Sequence, residues 1–338
     1  GGGGARPLPQ KLCVLGGAGY IGSRLCKELS ALGHSITVVD LLWFGNGLSS
    51  LRPGVCARFV QADYESLPRD FFAEFDAVIC LAAHSSVKMT LGKNLGNSFR
   101  NNVAKLVRLV EHIDAIHVNT SRRIRLIYMS SSSVYGDAHS DTQVTEEYNI
   151  SAPNNPYDLS KWTGDLYATH SKVEAYGLRL GTVCGGSPNL RSDVMLNAMT
   201  TDALSKKEVR LYLEGTRRPV LGISDLCRAI SAILACKEDR RGLYNLASFN
   251  GTVREYGEAV SIKLDVPIRR LKPQAIENMS NVKLQSQQYD FAISPDKFKK
   301  AFAFEFTDTV DSVISEVIGA LNDASVIKGT RDHTRASL

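Results

Sequence analysis

A glycine-rich turn, Gly16-Gly17-Ala18-Gly19-Tyr20-Ile21-Gly22, separates two segments of different periodicity. Before it, Lys11-Leu12-Cys13-Val14-Leu15 is a short apolar run of strand length. After it, Ile21, Leu25, Leu29 and Leu32 recur at spacings of three and four, one face of a helix. Ser35-Ile36-Thr37-Val38-Val39-Asp40 then reads as a second strand ending in an acid. A strand passing through glycines into a helix and back to a strand is a β-α-β unit, and its glycines suit a dinucleotide. Gly16 permits the tight turn. Gly19 lets a pyrophosphate reach the backbone and the helix N-terminus, with Tyr20 and Ile21 in the first turn. Gly22 lets the helix pack closely. Asp40 is placed to accept hydrogen bonds from ribose hydroxyls, and its charge repels a 2′-phosphate, which favours NAD over NADP.

The alternation continues. Ala57 to Gln61 reads as a third strand, ending in Ala62-Asp63-Tyr64, and Asp76 to Leu81 as a fourth, ending in Ala82-Ala83-His84. Residues 95–117 read as one long helix, residues 124–129 as a fifth strand, the segment from Tyr157 as a helix, and Ala175 to Leu180 as a sixth strand. The expectation is an α/β fold: a Rossmann-like, doubly wound parallel sheet with a smaller C-terminal substrate-binding lobe. The boundaries expected are a disordered or tag-like 1–10, a dinucleotide-binding 11–180, a substrate lobe over 181–327 with segments returning to the main sheet, and a flexible tail over 328–338.

Tyr157 and Lys161 lie four apart and share a helix face, and the run Ser130-Ser131-Ser132-Ser133 lies upstream at a strand end. An ammonium beside a phenol favours the phenolate and lowers its pKa. Such a phenol takes a proton from an alcohol and returns it, while a serine hydroxyl holds the same oxygen. That trio is suited to hydride transfer beside a nicotinamide.

Composition narrows the remaining classes. The chain has 338 residues, 43% hydrophobic and 22% charged, and a net charge of +5 spread along its length. No basic stripe with interleaved aromatics points to nucleic acid, and no apolar stretch has the length of a membrane span. The Gly/Pro-rich start has no apolar signal-like run, so a cytoplasmic location is expected. The seven cysteines lack a CxxC spacing, which favours reduced core thiols over disulfides or a metal site. His84 has no acid paired with it and is read as a core histidine.

Jointly the glycine turn, Asp40, Asp63-Tyr64, Leu81-Ala82-Ala83, Asn101-Asn102-Val103, the serine run with Val134-Tyr135-Gly136, Tyr157 with Lys161, and Arg218-Pro219-Val220-Leu221-Gly222-Ile223-Ser224-Asp225-Leu226 resemble the extended short-chain dehydrogenase/reductase family, the nucleotide-sugar epimerases and dehydratases. The resemblance runs from about Lys11 to Leu321. It implies that Asp63 holds the adenine amine and that Tyr64 contacts the ring. It implies that Leu81, Ala82 and Ala83 line the pyrophosphate and nicotinamide side, with Asn102 and Ser130 nearby. Ser131 matches the catalytic serine or threonine, Tyr157 the acid/base, and Lys161 a pKa modulator and ribose ligand. Ser132, Thr182, Arg191, Asn197 and Arg218 are expected on the substrate. A homodimer through the helices at 95–117 and Tyr157 is also implied.

In the 4,6-dehydratases of this family the serine turn carries an Asp-Glu pair. Here those positions are Ser132 and Ser133, which have no accessible pKa for acid/base work, so dehydration is disfavoured. What remains is 4-epimerisation of a nucleotide sugar, a UDP-sugar by family frequency, through a transient 4-keto sugar. The alternatives are a keto-sugar reductase or sugar dehydrogenase with the same trio, and a non-catalytic NAD sensor. Two departures bear on the substrate. Arg179-Leu180-Gly181-Thr182-Val183 replaces the usual aromatic and asparagine. Asp290 and Ser294 stand where an arginine and an aspartate often grip the nucleotide, so Asp290 is expected to repel phosphate.

Overall fold

The computed structural model describes residues 8–90, 95–136, 138, 142–151, 153, 155–271 and 289–329. Seven strands form a parallel sheet: β1 (Lys11–Leu15), β2 (Ser35–Asp40), β3 (Arg58–Gln61), β4 (Ala77–Cys80), β5 (Arg125–Ser131), β6 (Ala175–Leu180) and β11 (Gly242–Leu246). Their order is β11-β6-β5-β4-β1-β2-β3. The winding reverses between β1 and β4, where Leu12 pairs with Ile36 on one side and Ala77 on the other. Ligands of such sheets bind beyond the strand ends at this reversal.

Side chains along β1 alternate between two cores, as a pleat requires. Leu12 and Val14 join Leu25 and Leu29 of α1 (Tyr20–Ala31) and Ile230 and Ile233 of α7 (Ile223–Ala235). Cys13 and Leu15 join Leu109, Val110 and Ile113 of α4 (Lys105–Thr120). Both faces of the sheet are covered, as an all-parallel sheet needs.

A third core lies in the C-terminal half. It joins Leu196 and Ala203 of α6 (Met195–Lys206), Val209 and Leu211 of β9 (Val209–Leu211), Tyr256 and Val260 of α8 (Val253–Leu264), and Val313 and Ile314 of α10 (Val310–Asn322). The chain returns to the main sheet as β11, between these segments.

Three expectations need correction. Residues 95–117 are not one regular helix: α3 (Leu95–Phe99) passes through a π-helical turn, Arg100–Ala104, before α4. Such turns appear mostly as single-turn bulges inside α-helices, and this one carries the buried Asn102 and Val103. Lys328 and Gly329, expected in the loose tail, belong to β14 (Ile327–Gly329), which pairs in parallel with β8 (Asn189–Arg191). Gln10, expected in the disordered start, is bonded to His34 and Leu234. Residues 1–7 and 330–338 lie outside the described residues. No described helix is long and apolar enough to cross a membrane.

Candidate active site

The glycine turn, Asp40, Asp63, Tyr64 and the β4 end (Leu81, Ala82, Ala83) converge on one cleft at the sheet reversal, with Gly16, Gly19, Tyr20, Ile21 and Gly22 along its floor. Two glycines show why. A Cβ at Gly22 would overlap the Gly16 carbonyl and stand 2.5 Å from Gly17 Cα, so the helix closes on the turn itself. A Cβ at Gly19 would meet only the Gly16 oxygen, at 3.5 Å. Protein packing therefore does not require glycine at 19. No side chain caps α1 and its first turn has no acid, so its N-terminal N–H groups suit a pyrophosphate.

The two acids of this cleft are already part-engaged. Asp40 accepts the Ala18 N–H at 3.0 Å and the Leu42 N–H at 2.7 Å, which fixes its carboxylate at the cleft. Asp63 accepts the Glu65 N–H at 3.1 Å and Lys105 Nζ at 2.5 Å. Lys105 is buried and lines the same cleft. Sequence reasoning missed it, because a lysine opening a helix carries no signal of a partner 42 residues away. A carboxylate has about four acceptor sites, and both acids line the cleft.

Several expected ligands are placed elsewhere. Asn102 is a buried clamp: its Oδ1 accepts the His84 N–H at 2.8 Å, and its Nδ2 donates to His84 O at 3.1 Å and Ser160 Oγ at 3.0 Å. It ties the loop after β4 to α5 (Pro156–His170). His84 itself is fully buried between Ser98 and Asn101, in keeping with the core reading. Asn197 is likewise buried, bonding Gly185, Tyr20 Oη and the Arg191 carbonyl. Ser132 is buried. Arg191 lines the glycine-turn cleft, paired with Asp193 and donating to Ser85 at 3.0 Å.

Ser130 joins a buried network. Its hydroxyl donates to Asp165 at 3.0 Å, as does Tyr128 at 3.1 Å, and Arg179 Nε at 2.8 Å. Arg179 also donates to Tyr135 Oη at 3.0 Å, which donates to Asn245 at 2.7 Å. The arginine that departs from the family pattern thus holds a charge pair beneath the serine run.

At the run's end Tyr157 and Lys161 of α5 meet the serines. Asn155 Oδ1 caps α5 by accepting the Asp158 N–H, and Pro156 takes the first-turn position. This places Tyr157 beside the serine turn, where the Ser131 hydroxyl acts to lower its phenol. Lys161 Nζ lies 5.8 Å from the Tyr157 ring centroid and donates to Met129 O at 2.8 Å. Burial lowers the Lys161 ammonium to about 8. The expected lowering of the phenol by Lys161 is not the outcome. Burial pushes Tyr157 up to about 12, partly offset by the Ser131 hydroxyl and by Arg191, while the Asp158 charge adds to the rise.

Asp158 is the second missed residue. It is 1% exposed, and its carboxylate accepts from Ser133 Oγ at 2.5 Å, Asn155 Nδ2 at 2.5 Å and Tyr289 Oη at 2.6 Å. The Arg218 guanidinium stacks on the Tyr289 ring, 5.3 Å from its centroid, and lines a second cavity of about 500 Å³ with Thr182, Met195, Met199 and Tyr212. Asp290, expected to repel phosphate, is bound by Arg217 through both its backbone N–H (2.9 Å) and its Nε (3.0 Å), which offsets its charge. Ser294 is buried, its N–H donating to Val144 O at 2.9 Å.

The fold and cleft define a Rossmann-type dinucleotide-binding protein. Residues 12–247 match the sequence profile of the NAD dependent epimerase/dehydratase family. The chain belongs to that family and is NAD-dependent in keeping with it. It is 29% identical over 239 residues to a dTDP-glucose 4,6-dehydratase of Streptomyces niveus, covering 66% of this chain and 68% of that protein. It is 32% identical over 173 residues to a UDP-glucose 4-epimerase of Lacticaseibacillus casei, covering 50% and 48%. Its fold superposes on the UDP-glucuronic acid 4-epimerase from Bacillus cereus, solved in complex with UDP-glucuronic acid and NAD, with a TM-score of 0.76 at 21% identity, covering 92% of this chain and 98% of the other.

Proposed function

We propose that the protein epimerises a nucleotide sugar, a UDP-sugar by preference, at C4 through a transient 4-keto sugar. The carrying observation is the serine turn. Beside Tyr157 it offers only hydroxyls, Ser131 and Ser133, with Ser132 buried. A dehydratase needs a carboxyl there to protonate a leaving hydroxyl. Asp158, which contacts this turn, is buried and bonded to Ser133, Asn155 and Tyr289.

Bound NAD supplies the acceptor and donor of the hydride. Tyr157 takes the sugar hydroxyl proton and gives it back, and Ser131 orients that oxygen. Lys161 is the ribose ligand, held by the Met129 carbonyl. Gly19 and the start of α1 bind the pyrophosphate, Asp40 the adenosine ribose and Asp63 the adenine edge. The cavity of Thr182 and Arg218 takes the sugar nucleotide, with Arg218 on the diphosphate.

A homodimer fits the surface of α5, where Leu159, Leu166 and Tyr167 are 40%, 43% and 38% exposed on one helical face. Sedimentation at micromolar concentration should give twice the chain mass; a monomer contradicts the dimer. The test of the reaction is incubation of NAD-loaded protein with a panel of UDP-sugars, read by NMR. An epimerase yields a C4 epimer with no net NADH, whereas stoichiometric NADH means a dehydrogenase.

A further inference from the structure

The acid assigned to the adenine does not stand alone in the cleft. Lys105 Nζ lies 2.5 Å from Asp63 Oδ2, and Lys105 lines the same cleft although it is only 6% exposed. A lysine is almost never buried unless it is paired. An ammonium has three N–H donors, and Asp63 is the one hydrogen-bond acceptor of Lys105 among the described residues. The other Asp63 oxygen is fixed by the Glu65 N–H at 3.1 Å. The Tyr64 ring, also lining the cleft, has its centroid 6.0 Å from Nζ. A fixed acceptor and a buried donor are thus held side by side at one wall of the cleft.

We propose that Lys105 is a cofactor-binding residue that reads the adenine base jointly with Asp63: the carboxylate accepts from the exocyclic amine, and the ammonium donates to the ring nitrogen beside that amine. An asparagine or glutamine amide recognises adenine with the same pairing of one acceptor and one donor. Here two residues 42 positions apart supply it. The pair selects adenine over a base with a carbonyl in place of the amine, because that oxygen would face the carboxylate. The inference rests on the reading above that Asp63 meets the adenine edge.

Two further observations fit. Single π turns inside α-helices are frequent at functional sites, and the one at Arg100–Ala104 ends directly before Lys105. The cleft also holds two carboxylates, Asp40 and Asp63, although its ligand carries a pyrophosphate. Lys105 offsets one of them where the base, and not the phosphates, is to sit. Arg100 pairs with Glu65 at 3.0 Å from an exposed position, so a second ion pair fastens the same helix to the turn that follows Asp63.

The test is calorimetric titration of the nucleotide-free protein with dinucleotides, and it needs no sugar. Nicotinamide hypoxanthine dinucleotide carries a carbonyl in place of the amine and reports on Asp63. It should bind wild type at least about tenfold more weakly than NAD. The 1-deaza and 7-deaza adenine analogues of NAD each lack one ring nitrogen beside the amine and report on Lys105. One of them should bind wild type about tenfold more weakly than NAD. Lys105→Met keeps the length of the side chain without its donors, and should bind that analogue and NAD alike. Equal binding of NAD and both deaza analogues by wild type overturns the role of Lys105 whether or not the variant folds. A deaza deficit that persists in Lys105→Met overturns it too. A hypoxanthine deficit with no deaza deficit leaves Asp63 at the adenine and removes Lys105 alone, whereas no hypoxanthine deficit overturns both.

Discussion

Gly19→Ala separates ligand binding from folding. Gly19 has φ −78° and ψ −167°, which alanine adopts freely. Its new methyl would meet only the Gly16 oxygen, at an ordinary 3.5 Å. The loss of stability is therefore that of a poorer N-cap, below about 1 kcal/mol. The same methyl stands where a pyrophosphate must approach the backbone. Loss of close contact with the helix N-terminus weakens NAD by roughly 10- to 100-fold, about 1.4–2.8 kcal/mol. Calorimetric titration with NAD reads this directly. Melting gives a second reading. At a concentration 100 times the wild-type Kd, NAD stabilises wild type by about 2.7 kcal/mol, but a variant with a hundredfold weaker Kd by only about 0.4 kcal/mol. Gly22→Ala is the contrast: its Cβ overlaps the turn, so the ligand-free protein itself is destabilised. If Gly19→Ala binds NAD as tightly as wild type, the pyrophosphate does not cross this residue and the cofactor placement is wrong.

Other outcomes follow from the same geometry. Tyr157→Phe should lower turnover by about 10²–10⁴ while leaving NAD affinity near wild type, as steady-state rates and calorimetry will show. Arg179→Met leaves the buried Asp165 charge unpaired and should cost about 3–5 kcal/mol in chemical denaturation. The Lys161 ammonium sits at about 8 in the fold against an ordinary 10.5, so above pH 8 the unfolded chain binds the extra proton and stability rises with pH. Lys161→Met should therefore be the more stable form at pH 7, with the difference fading between about pH 8 and pH 10.5 in denaturant melts; a pH-independent difference refutes the buried lysine.

The parallel sheet and dinucleotide cleft were legible because they rest on local patterns. Glycines at a strand-to-helix turn and apolar periods of two and 3.6 report backbone geometry without knowledge of the partner. What a polar side chain bonds was not legible. Asn102 and Asn197 stand where motif matching expects ligands, yet each spends its amide on protein groups near in space. Asp158 is visible as the neighbour of Tyr157, but its contact with Ser133 depends on how α5 docks against the end of β5. The π-helical turn at Arg100–Ala104 was hidden because the apolar periodicity of Val103, Leu106 and Val110 carries through it. The phenol's upward shift was missed because a lysine four residues away suggests charge stabilisation, whereas burial, a tertiary property, dominates.

The most direct measurement is a turnover of the NAD-loaded protein on a UDP-sugar carrying deuterium at C4. The account predicts a C4 epimer that retains the label, with no NADH left over and no reaction in Tyr157→Phe. Loss of water from the sugar, or label accumulating in reduced cofactor, would contradict it.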